Sequence, residues 1–477
     1  MTMMNMPAAL KMIVALFILA TIPVEVYSLT PDQVFGKVKD AIVVVNTFDS
    51  YGRLKIQGSG VIISPGRIAT NCQVVKGGAS YKVCRGKQIV AAAMYAEDRD
   101  KDICILDARG ITGKPAQFGK AAGLKIGIPV YAVGASEELK LFISAGIVAQ
   151  LRGGPPPFIQ TTAALSHGSN GGGLFDVEGR LVGLITLYSE GGQNFCFAMP
   201  VEWIDQLRPG RKTAAGSRSR IEWLKRAIVL EKLKDWEGLL DWCLKWTKSE
   251  PLNAEARYNL GIANGNLKRY NHAIEAFRQA LHINPKYAEA WNNLGDTYRK
   301  LNRYNDAIES FRKALRIDPK YADPWNNLGV AYGELKRHDD AIEVFRQALR
   351  INPEYADAWY NLGISYGELK QYNDAIEAFS RILSINPEDA EAWYNLGIAY
   401  GELLLHDDAV EAFRKALRIN PKYAKAWYSI GSAYALSGKR ADALNAVREL
   451  KRLDPERAKG LLNLIEPPDT TAMTNRK

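Results

Sequence analysis

Residues 322–355, ADPWNNLGVAYGELKRHDDAIEVFRQALRINPEY, are one copy of a 34-residue pattern that occupies the second half of this 477-residue chain. The apolar positions of this copy fall into two groups at spacings of three and four, which are Trp325, Leu328, Tyr332 and then Ala341, Phe345, Ala348. Each group is typical of an amphipathic helix. Pro353 prevents the second helix from continuing. The segment therefore predicts a pair of helices that ends in a turn.

The same pattern recurs at a strict period. Its prolines are Pro251, Pro285, Pro319, Pro353, Pro387, Pro421 and Pro455, and its tryptophans are Trp291, Trp325, Trp359, Trp393 and Trp427. The pattern resembles the tetratricopeptide repeat (TPR) residue for residue. We expect six regular copies within residues 254–457, which begin at Ala254, Ala288, Ala322, Ala356, Ala390 and Ala424. A TPR array forms an all-α solenoid, because one helix pair cannot bury its apolar face without its neighbours.

The segments that flank these six copies are less regular. Residues 220–253 retain Trp223 and Pro251, but they carry Leu239, Cys243 and Trp246 where the other copies have Ala, Phe and Ala. We interpret them as a divergent repeat that caps the array and docks onto the preceding domain. Residues 458–477 are predicted to form a short closing helix and a disordered tail.

A column of asparagines lies two residues after the tryptophan position of the repeat. Its members are Asn259, Asn293, Asn327, Asn361 and Asn395. At this spacing they form a ladder along one face, and each carboxamide offers both donors and an acceptor. Similar ladders in TPR proteins such as the O-GlcNAc transferases bind extended peptides. One interpretation is therefore a groove for proteins or extended peptides; the alternative is that the asparagines join adjacent repeats.

The first half of the chain has a different pattern. Between residues 29 and 207, short β-rich runs alternate with glycine and proline turns, which favours a sandwich or barrel. Three stretches stand out, GSGVIISPGRIATNCQVV at 58–75, DICIL at 102–106 and GSNGGGLFD at 168–176. Their order and spacing resemble serine proteases of the HtrA type. The resemblance implies a trypsin-like double β-barrel, so the predicted fold class is multidomain β + α.

In the resembled family the three stretches carry His, Asp and Ser, which together cleave peptide bonds. Here Gln73 stands at the histidine position and Asn170 at the serine position, and only Asp102 remains. A glutamine cannot act as a general base, and an asparagine amide supplies no nucleophilic oxygen. We therefore predict a degenerate triad with no competent catalytic residue. The resemblance also implies that the backbone amides of Gly168 and Asn170 still form an oxyanion-type nest.

Other residues near the degenerate triad leave alternatives open. One alternative is a rewired catalytic pair of Ser169 and His167, although His167 lies in the same loop as the serine and not across the cleft from it. If the barrel is right, Cys72 and Cys104 lie on neighbouring segments. They then form a disulfide or remain buried free thiols.

The first 28 residues contain Lys11, an apolar run that is short for a membrane span, and Ser28 at a plausible cleavage point. We interpret 1–28 as a signal peptide, with an uncleaved anchor as the alternative. The predicted location is the periplasm or exterior of a bacterium, with no stable membrane span after cleavage. Residues 208–219 are basic and poor in apolar residues, so we predict a flexible linker.

Composition excludes some classes of function. The net charge is +10, and the five cysteines include no CxxC pair. Neither cysteines nor histidines have metal-ligand spacing, so we expect no metal and no cofactor, and nothing indicates nucleic-acid binding.

The leading hypothesis is an exported scaffold protein, a pseudoprotease barrel with a peptide-binding TPR groove. The alternatives are an active endopeptidase whose repeats recruit substrates, and a chaperone that holds many substrates.

Overall fold

The computed structural model describes residues 29–135, 140–152, 156–166, 168–190, 193–209 and 220–466. The chain divides into two compact units, residues 1–233 and residues 234–477. The predicted signal peptide, His167, residues 210–219 of the predicted linker and the tail from residue 467 lie outside the described residues. In the described part of the chain, no helix combines the length and apolar character that crossing a bilayer requires.

The described part of the first unit begins with helix α1 (Pro31–Val38) and then forms a closed barrel of six antiparallel strands. These strands are β1 (Ile42–Phe48), β2 (Leu54–Ser64), β3 (Arg67–Thr70), β4 (Ser80–Arg85), β5 (Gln88–Asp98) and β6 (Ile103–Asp107). Their order around the barrel is β1-β2-β3-β6-β5-β4. Alternate residues such as Val43 and Val45 point inward and are buried, as the two-residue period of a strand requires.

A second closed barrel of six antiparallel strands follows. Its strands are β7 (Pro129–Ala135), β8 (Leu141–Arg152), β9 (Phe158–Thr161), β10 (Gly173–Phe175), β11 (Leu181–Glu190) and β12 (Gln193–Pro200). The order is β10-β11-β12-β9-β8-β7, and the core includes Val130, Val148 and Ile185. A short helix, α2 (Glu202–Asp205), ends this part. The two barrels confirm the predicted double β-barrel.

The next helix, α3 (Arg220–Lys232), belongs to the barrel unit, because the two units divide between Leu233 and Lys234. The division therefore falls inside residues 220–253, the stretch that the sequence had assigned to one divergent repeat. The helix is apolar on several faces, and Ala227, Ile228 and Val229 are fully buried. Its apolar side chains are thus packed, while Glu222 and Lys232 are exposed.

The second unit is a run of helices in pairs, which confirms the predicted all-α solenoid. After α4 (Trp236–Ser249), the helices are α5 (Ala254–Asn266), α6 (Tyr270–Ile283), α7 (Ala288–Lys300), α8 (Tyr304–Ile317), α9 (Ala322–Glu334), α10 (His338–Ile351), α11 (Ala356–Glu368), α12 (Tyr372–Ile385), α13 (Ala390–Glu402), α14 (His406–Ile419), α15 (Ala424–Leu436), α16 (Arg440–Leu453) and α17 (Pro455–Ile465).

Two contacts explain why the repeat keeps its glycine and its tryptophan. A Cβ atom on Gly329 would lie 2.5 Å from the Phe345 ring, so only glycine lets the two helices of this repeat approach so closely. The Trp325 indole nitrogen donates to the carbonyl of Pro319 over 3.0 Å, which joins the first helix to the turn before it. Equivalent bonds are made by Trp291, Trp359, Trp393 and Trp427.

Candidate functional site: the degenerate triad and the repeat face

The barrel brings Gln73 and Asp102 together, because β3 and β6 are paired and each residue lies just beyond the paired segment. The backbone N–H of Gln73 donates to Asp102 Oδ1 over 3.1 Å. The Gln73 side-chain nitrogen donates to the hydroxyl of Thr186 on β11. Gln73 therefore joins the first barrel to the second at the position where the resembled proteases have histidine.

Asn170 is held by its own side chain. Its carboxamide oxygen accepts a hydrogen bond from Leu187 N on β11 over 2.6 Å, and its carbonyl accepts one from Ser59 N over 2.8 Å. The amide of the side chain is thus bound to the backbone of β11. The loop approaches the first barrel so closely that a Cβ on Gly171 would lie 2.2 Å from the Thr70 hydroxyl.

Ser169 is the other hydroxyl in this loop. It is fully buried, and its hydroxyl donates to the carbonyl of Ser166. A nucleophile has to reach a substrate carbonyl, so this placement does not suit a rewired catalytic serine.

The predicted oxyanion nest involves the turn at Gly168, whose φ of +93° is in the left-handed region that glycine adopts readily. Within the described part of the chain, the N–H groups of Gly168 and Asn170 donate no hydrogen bond. Their freedom is compatible with an anion-binding role, which stays a prediction.

Lys225 on α3 completes the site, and the sequence analysis missed it. Its ammonium nitrogen lies 3.4 Å from Asp102 Oδ2 and 3.4 Å from the Thr186 hydroxyl. The side chains of Lys225 and Asp102 are only 8% and 13% exposed. One carboxylate oxygen of Asp102 therefore accepts from Gln73 and the other faces the lysine. A cation from the same chain is therefore paired with the carboxylate of Asp102.

Two further contacts hold α3 on the barrel unit at either side of Lys225. The backbone N–H of Ile221 donates to the carbonyl of Asp100 over 3.4 Å. Near the other end of the helix, Glu231 forms an ion pair with Arg152 of β8, whose side chain is 9% exposed. The helix thus spans from the Asp102 turn to the second barrel.

A disulfide joins Cys72 to Cys104, with their Cα atoms 5.0 Å apart. It links the residue before Gln73 to the second residue after Asp102. The pairing therefore fixes the two turns that carry the remaining triad positions, and the alternative of two buried free thiols does not apply.

The chemistry of the three residues that the sequence analysis assigned to the triad is as follows. Gln73 has no titrating nitrogen near neutral pH, Asn170 has no hydroxyl, and Asp102 is paired with Lys225. Among the residues that the structure describes, no group of three His, Cys, Asp or Glu side chains is placed to hold a metal ion.

In the repeat unit, the asparagine ladder makes bonds between neighbouring repeats. The side-chain nitrogens donate from Asn293 to the Tyr258 hydroxyl, from Asn327 to Asn292 Oδ1, from Asn361 to Asn326 Oδ1 and from Asn395 to the Tyr360 hydroxyl, over 2.8, 3.0, 3.0 and 3.2 Å. Asn259 is fully buried and donates to Glu255 O of its own helix. These bonds are what the alternative interpretation of the ladder requires. Peptide binding by the ladder stays a prediction.

The same face carries acidic, phenolic and apolar groups. The Tyr360 hydroxyl donates to Glu391 over 2.9 Å while it accepts from Asn395. Burial, together with this bond to Glu391, raises the pKa of Tyr360 to about 12, so the phenol stays protonated at neutral pH. Ile364 and Ile398 are 38% and 37% exposed.

Replacing Asn327 with Ala should lower the stability of the repeat unit. The substitution leaves the buried Asn292 carboxamide oxygen without its donor, which costs about 1–3 kcal/mol. Chemical denaturation of the full chain, followed by circular dichroism at 222 nm, measures the loss. Asn305→Ala is the control, because Asn305 is an exposed helical asparagine and its removal should change stability by less than about 0.5 kcal/mol. Equal stability of the two variants would contradict the structural role of the ladder.

Comparisons with known proteins agree with this description. Residues 58–184 match the trypsin-like peptidase domain, residues 254–287 the tetratricopeptide repeat, and residues 287–466 the C-terminal domain of cilia and flagella-associated protein 70. A probable periplasmic serine endoprotease, DegP-like, of Hahella chejuensis is 32% identical over 189 residues, which are 37% of this chain and 39% of that protein.

The anti-sigma-I factor RsgI9 of Acetivibrio thermocellus is 30% identical over 169 residues, which are 35% of this chain and 24% of that protein. A crystal structure of the serine endoprotease from Yersinia pestis matches 37% of this chain and 64% of that one at 26% identity, with a TM-score of 0.34. The chain thus spans well under half the length of the two relatives. It consists of a trypsin-like peptidase domain followed by tetratricopeptide repeats.

Proposed function

We propose that this chain is an exported, non-catalytic protein that binds other polypeptides through its repeats. The observation that carries the proposal is the ion pair of Lys225 with Asp102, which places the chain's own helix at the degenerate triad. Substitution at Gln73 and Asn170 removes the base and the nucleophile. The buried Lys225 forms an ion pair with Asp102, the one remaining triad residue, and so holds the helix on the barrel.

The alternative of an active endopeptidase would need a substitute nucleophile near Asp102. Ser169 is the nearest hydroxyl to the serine position in the sequence, and it is buried and bonded to Ser166 O. The ammonium of Lys225 is bound by a carboxylate rather than directed at a serine. This geometry favours a pseudoprotease, so the barrel acts as a structural or docking module.

Partner binding is assigned to the repeat unit. The nitrogens of the asparagine ladder are engaged between repeats, so a bound peptide backbone would donate to the carboxamide oxygens of half-buried residues such as Asn327 and Asn361. The exposed side chains of Ile364 and Ile398 add apolar contact beside the ladder. The ladder then has two roles, since it keeps the face rigid and presents acceptors.

Export is supported by the disulfide between Cys72 and Cys104, because such bonds persist in oxidising compartments. The apolar leader before residue 29 and the periplasmic location in the name of the DegP-like relative point the same way. We therefore place the protein in the periplasm or outside the cell.

The catalytic part of this proposal is tested with a fluorophosphonate probe and a fluorogenic casein substrate. The full chain should show no labelling and no casein turnover above a heat-denatured sample, because no activated hydroxyl is present. An active HtrA-type protease assayed beside it shows that the reagents work. Labelling that disappears in the Ser169→Ala variant would establish an active serine and overturn the proposal.

The binding part is tested with a photo-crosslinking residue. Benzoylphenylalanine at position 364, on the ladder face, should capture partner polypeptides in cells. The same residue at position 377, an exposed site on α12, should capture several-fold less. Equal capture at both positions would argue against binding at the ladder face.

A further inference from the structure

The first regular repeat departs from the others at the tryptophan position. Arg257 stands there on α5, exactly one 34-residue period before Trp291. In the later repeats the indole N–H donates to a proline carbonyl six residues earlier, as Trp291 does to Pro285. Pro251 precedes Arg257 by the same six residues, and its carbonyl receives no such bond within the described part of the chain. The first repeat therefore keeps the proline carbonyl that an indole would use, without the indole.

A cavity lies at this position, between α4, α5 and α6. Its volume is about 570 Å³, and its apolar floor consists of Leu240, Leu244, Leu260 and Ala276. The corresponding cavity one repeat later is lined by Trp291 and measures about 380 Å³. The first cavity is larger because Arg257 replaces the indole and because neighbouring large side chains are also replaced. Leu244 and Asn264 stand where the next repeat has Arg278 and Tyr298.

Three of the residues that line this cavity, Leu244, Arg257 and His272, are available to a ligand. Leu244 is 52% exposed, so its apolar surface can be covered by a ligand. The side chains of Arg257 and His272 form no hydrogen bond or ion pair to any residue that the structure describes. An apolar floor beside an unpaired guanidinium suits a planar aromatic ring.

The chain itself shows which group fills the equivalent place. In the next repeat the Lys313 ammonium lies 4.5 Å from the centroid of the Trp291 ring, and Lys415 lies 4.4 Å from that of Trp393. An indole beside a cation is thus the arrangement in two of the later repeats, whereas Gln279 stands at the position of Lys313 in the first repeat, where Arg257 supplies the cation instead. Tryptophan is also among the side chains that contribute most to binding energy when they enter such a cavity.

We propose that the cavity at Arg257 is a docking site for a tryptophan side chain of a partner polypeptide. The ring would lie on Leu244 and Leu260, with the Arg257 guanidinium against it and the Pro251 carbonyl available to the indole N–H. The inference rests on the proposed function of the repeats as a partner-binding unit, and it names the residue type that this end of the repeats recognises.

The test uses the full chain and a peptide that carries one 5-fluorotryptophan between glycine and serine residues. Titration followed by ¹⁹F NMR should show saturable binding to one site. A peptide with leucine in place of the tryptophan, added as competitor, should displace it at least tenfold less well than the unlabelled tryptophan peptide.

Two variants decide the location. Arg257→Trp restores the side chain of the other repeats, so it should fill the cavity and weaken binding at least tenfold while thermal unfolding stays the same or rises. Arg257→Lys keeps a cation and leaves the cavity open, so its affinity should stay within about threefold of the wild type.

Absence of saturable binding to the wild type, or equal affinity of the wild type and Arg257→Trp, would overturn the inference. Neither result changes the expected lack of fluorophosphonate labelling or the crosslinking at position 364. Failure of this site is therefore distinguishable from failure of the proposed function.

Discussion

Replacing Lys225 with Ala should destabilise the barrel unit by about 3 kcal/mol. Removing one partner of a buried ion pair leaves the other charge in a poorly solvated place, and here Asp102 would lose the cation beside Oδ2. Hydrogen exchange of β3 and β6 in the full chain measures the change. Exchange in these strands reports opening of the barrel unit separately from the repeats.

The matched control for this prediction is Lys232→Ala, at the exposed end of the same helix. It removes the same charge from α3 and should change the barrel stability by less than about 0.5 kcal/mol. A double-mutant cycle then isolates the pair. Asp102→Asn combined with Lys225→Met should be more stable than the sum of the single variants predicts, with a coupling of about 1 kcal/mol or more.

Exchange within residues 220–232 gives a second readout of the Lys225 variant. If the ion pair anchors α3 at the degenerate triad, amide exchange in this helix should rise more than in β7 or β12. Unchanged exchange in both α3 and the strands would show that the lysine does not hold the helix, and it would remove the main support for a closed, non-catalytic site.

The substitutions at Gln73 and Asn170 could be read from the sequence, since both positions lie inside recognisable motifs, and the loss of catalysis stays a prediction. The role of Lys225 could not be read from it. The stretch 220–253 has the repeat's proline and a tryptophan, so its pattern indicates a repeat and carries no information on a contact with Asp102. A partial signal was present, because Leu224 and Ile228 accompany Trp223 on this helix and indicate that one side of it is packed. That Lys225 is buried on this helix, and so needs an anionic partner, is seen only in the structure.

The solenoid was predictable in more detail, because the same residue types recur at the same positions of successive repeats. Gly329 opposite Phe345 and Trp325 on Pro319 are local contacts that a strict period makes visible. For the asparagine ladder, the period of the sequence does not show which partner the side chains bind. A column of carboxamides at one spacing is equally suited to bind a peptide or the neighbouring repeat. Only the positions of Asn292 and Tyr258, which accept from the ladder, show how the nitrogens are used.

Removing the disulfide with Cys72→Ala and Cys104→Ala should destabilise the barrel unit by about 3–4 kcal/mol. The bond closes a loop of 32 residues, and its loss returns that conformational freedom to the unfolded chain. Because the two cysteines flank Gln73 and Asp102, the loss should also loosen the turns that hold Lys225. Hydrogen exchange should therefore rise in β3, in β6 and in residues 220–232.

The control for the disulfide is Cys196→Ala, a half-buried free thiol on β12 of the same unit. It removes one sulfur atom without a cross-link, so its effect should stay below about 1 kcal/mol. The wild type treated with a thiol-free phosphine reductant should reproduce the double variant if the cross-link itself is responsible. A double variant as stable as Cys196→Ala would show that packing alone fixes the Gln73 and Asp102 turns. Because exchange in α3 is recorded in the same experiment, its rise or constancy decides whether the cross-link and the Lys225 anchor act as one unit.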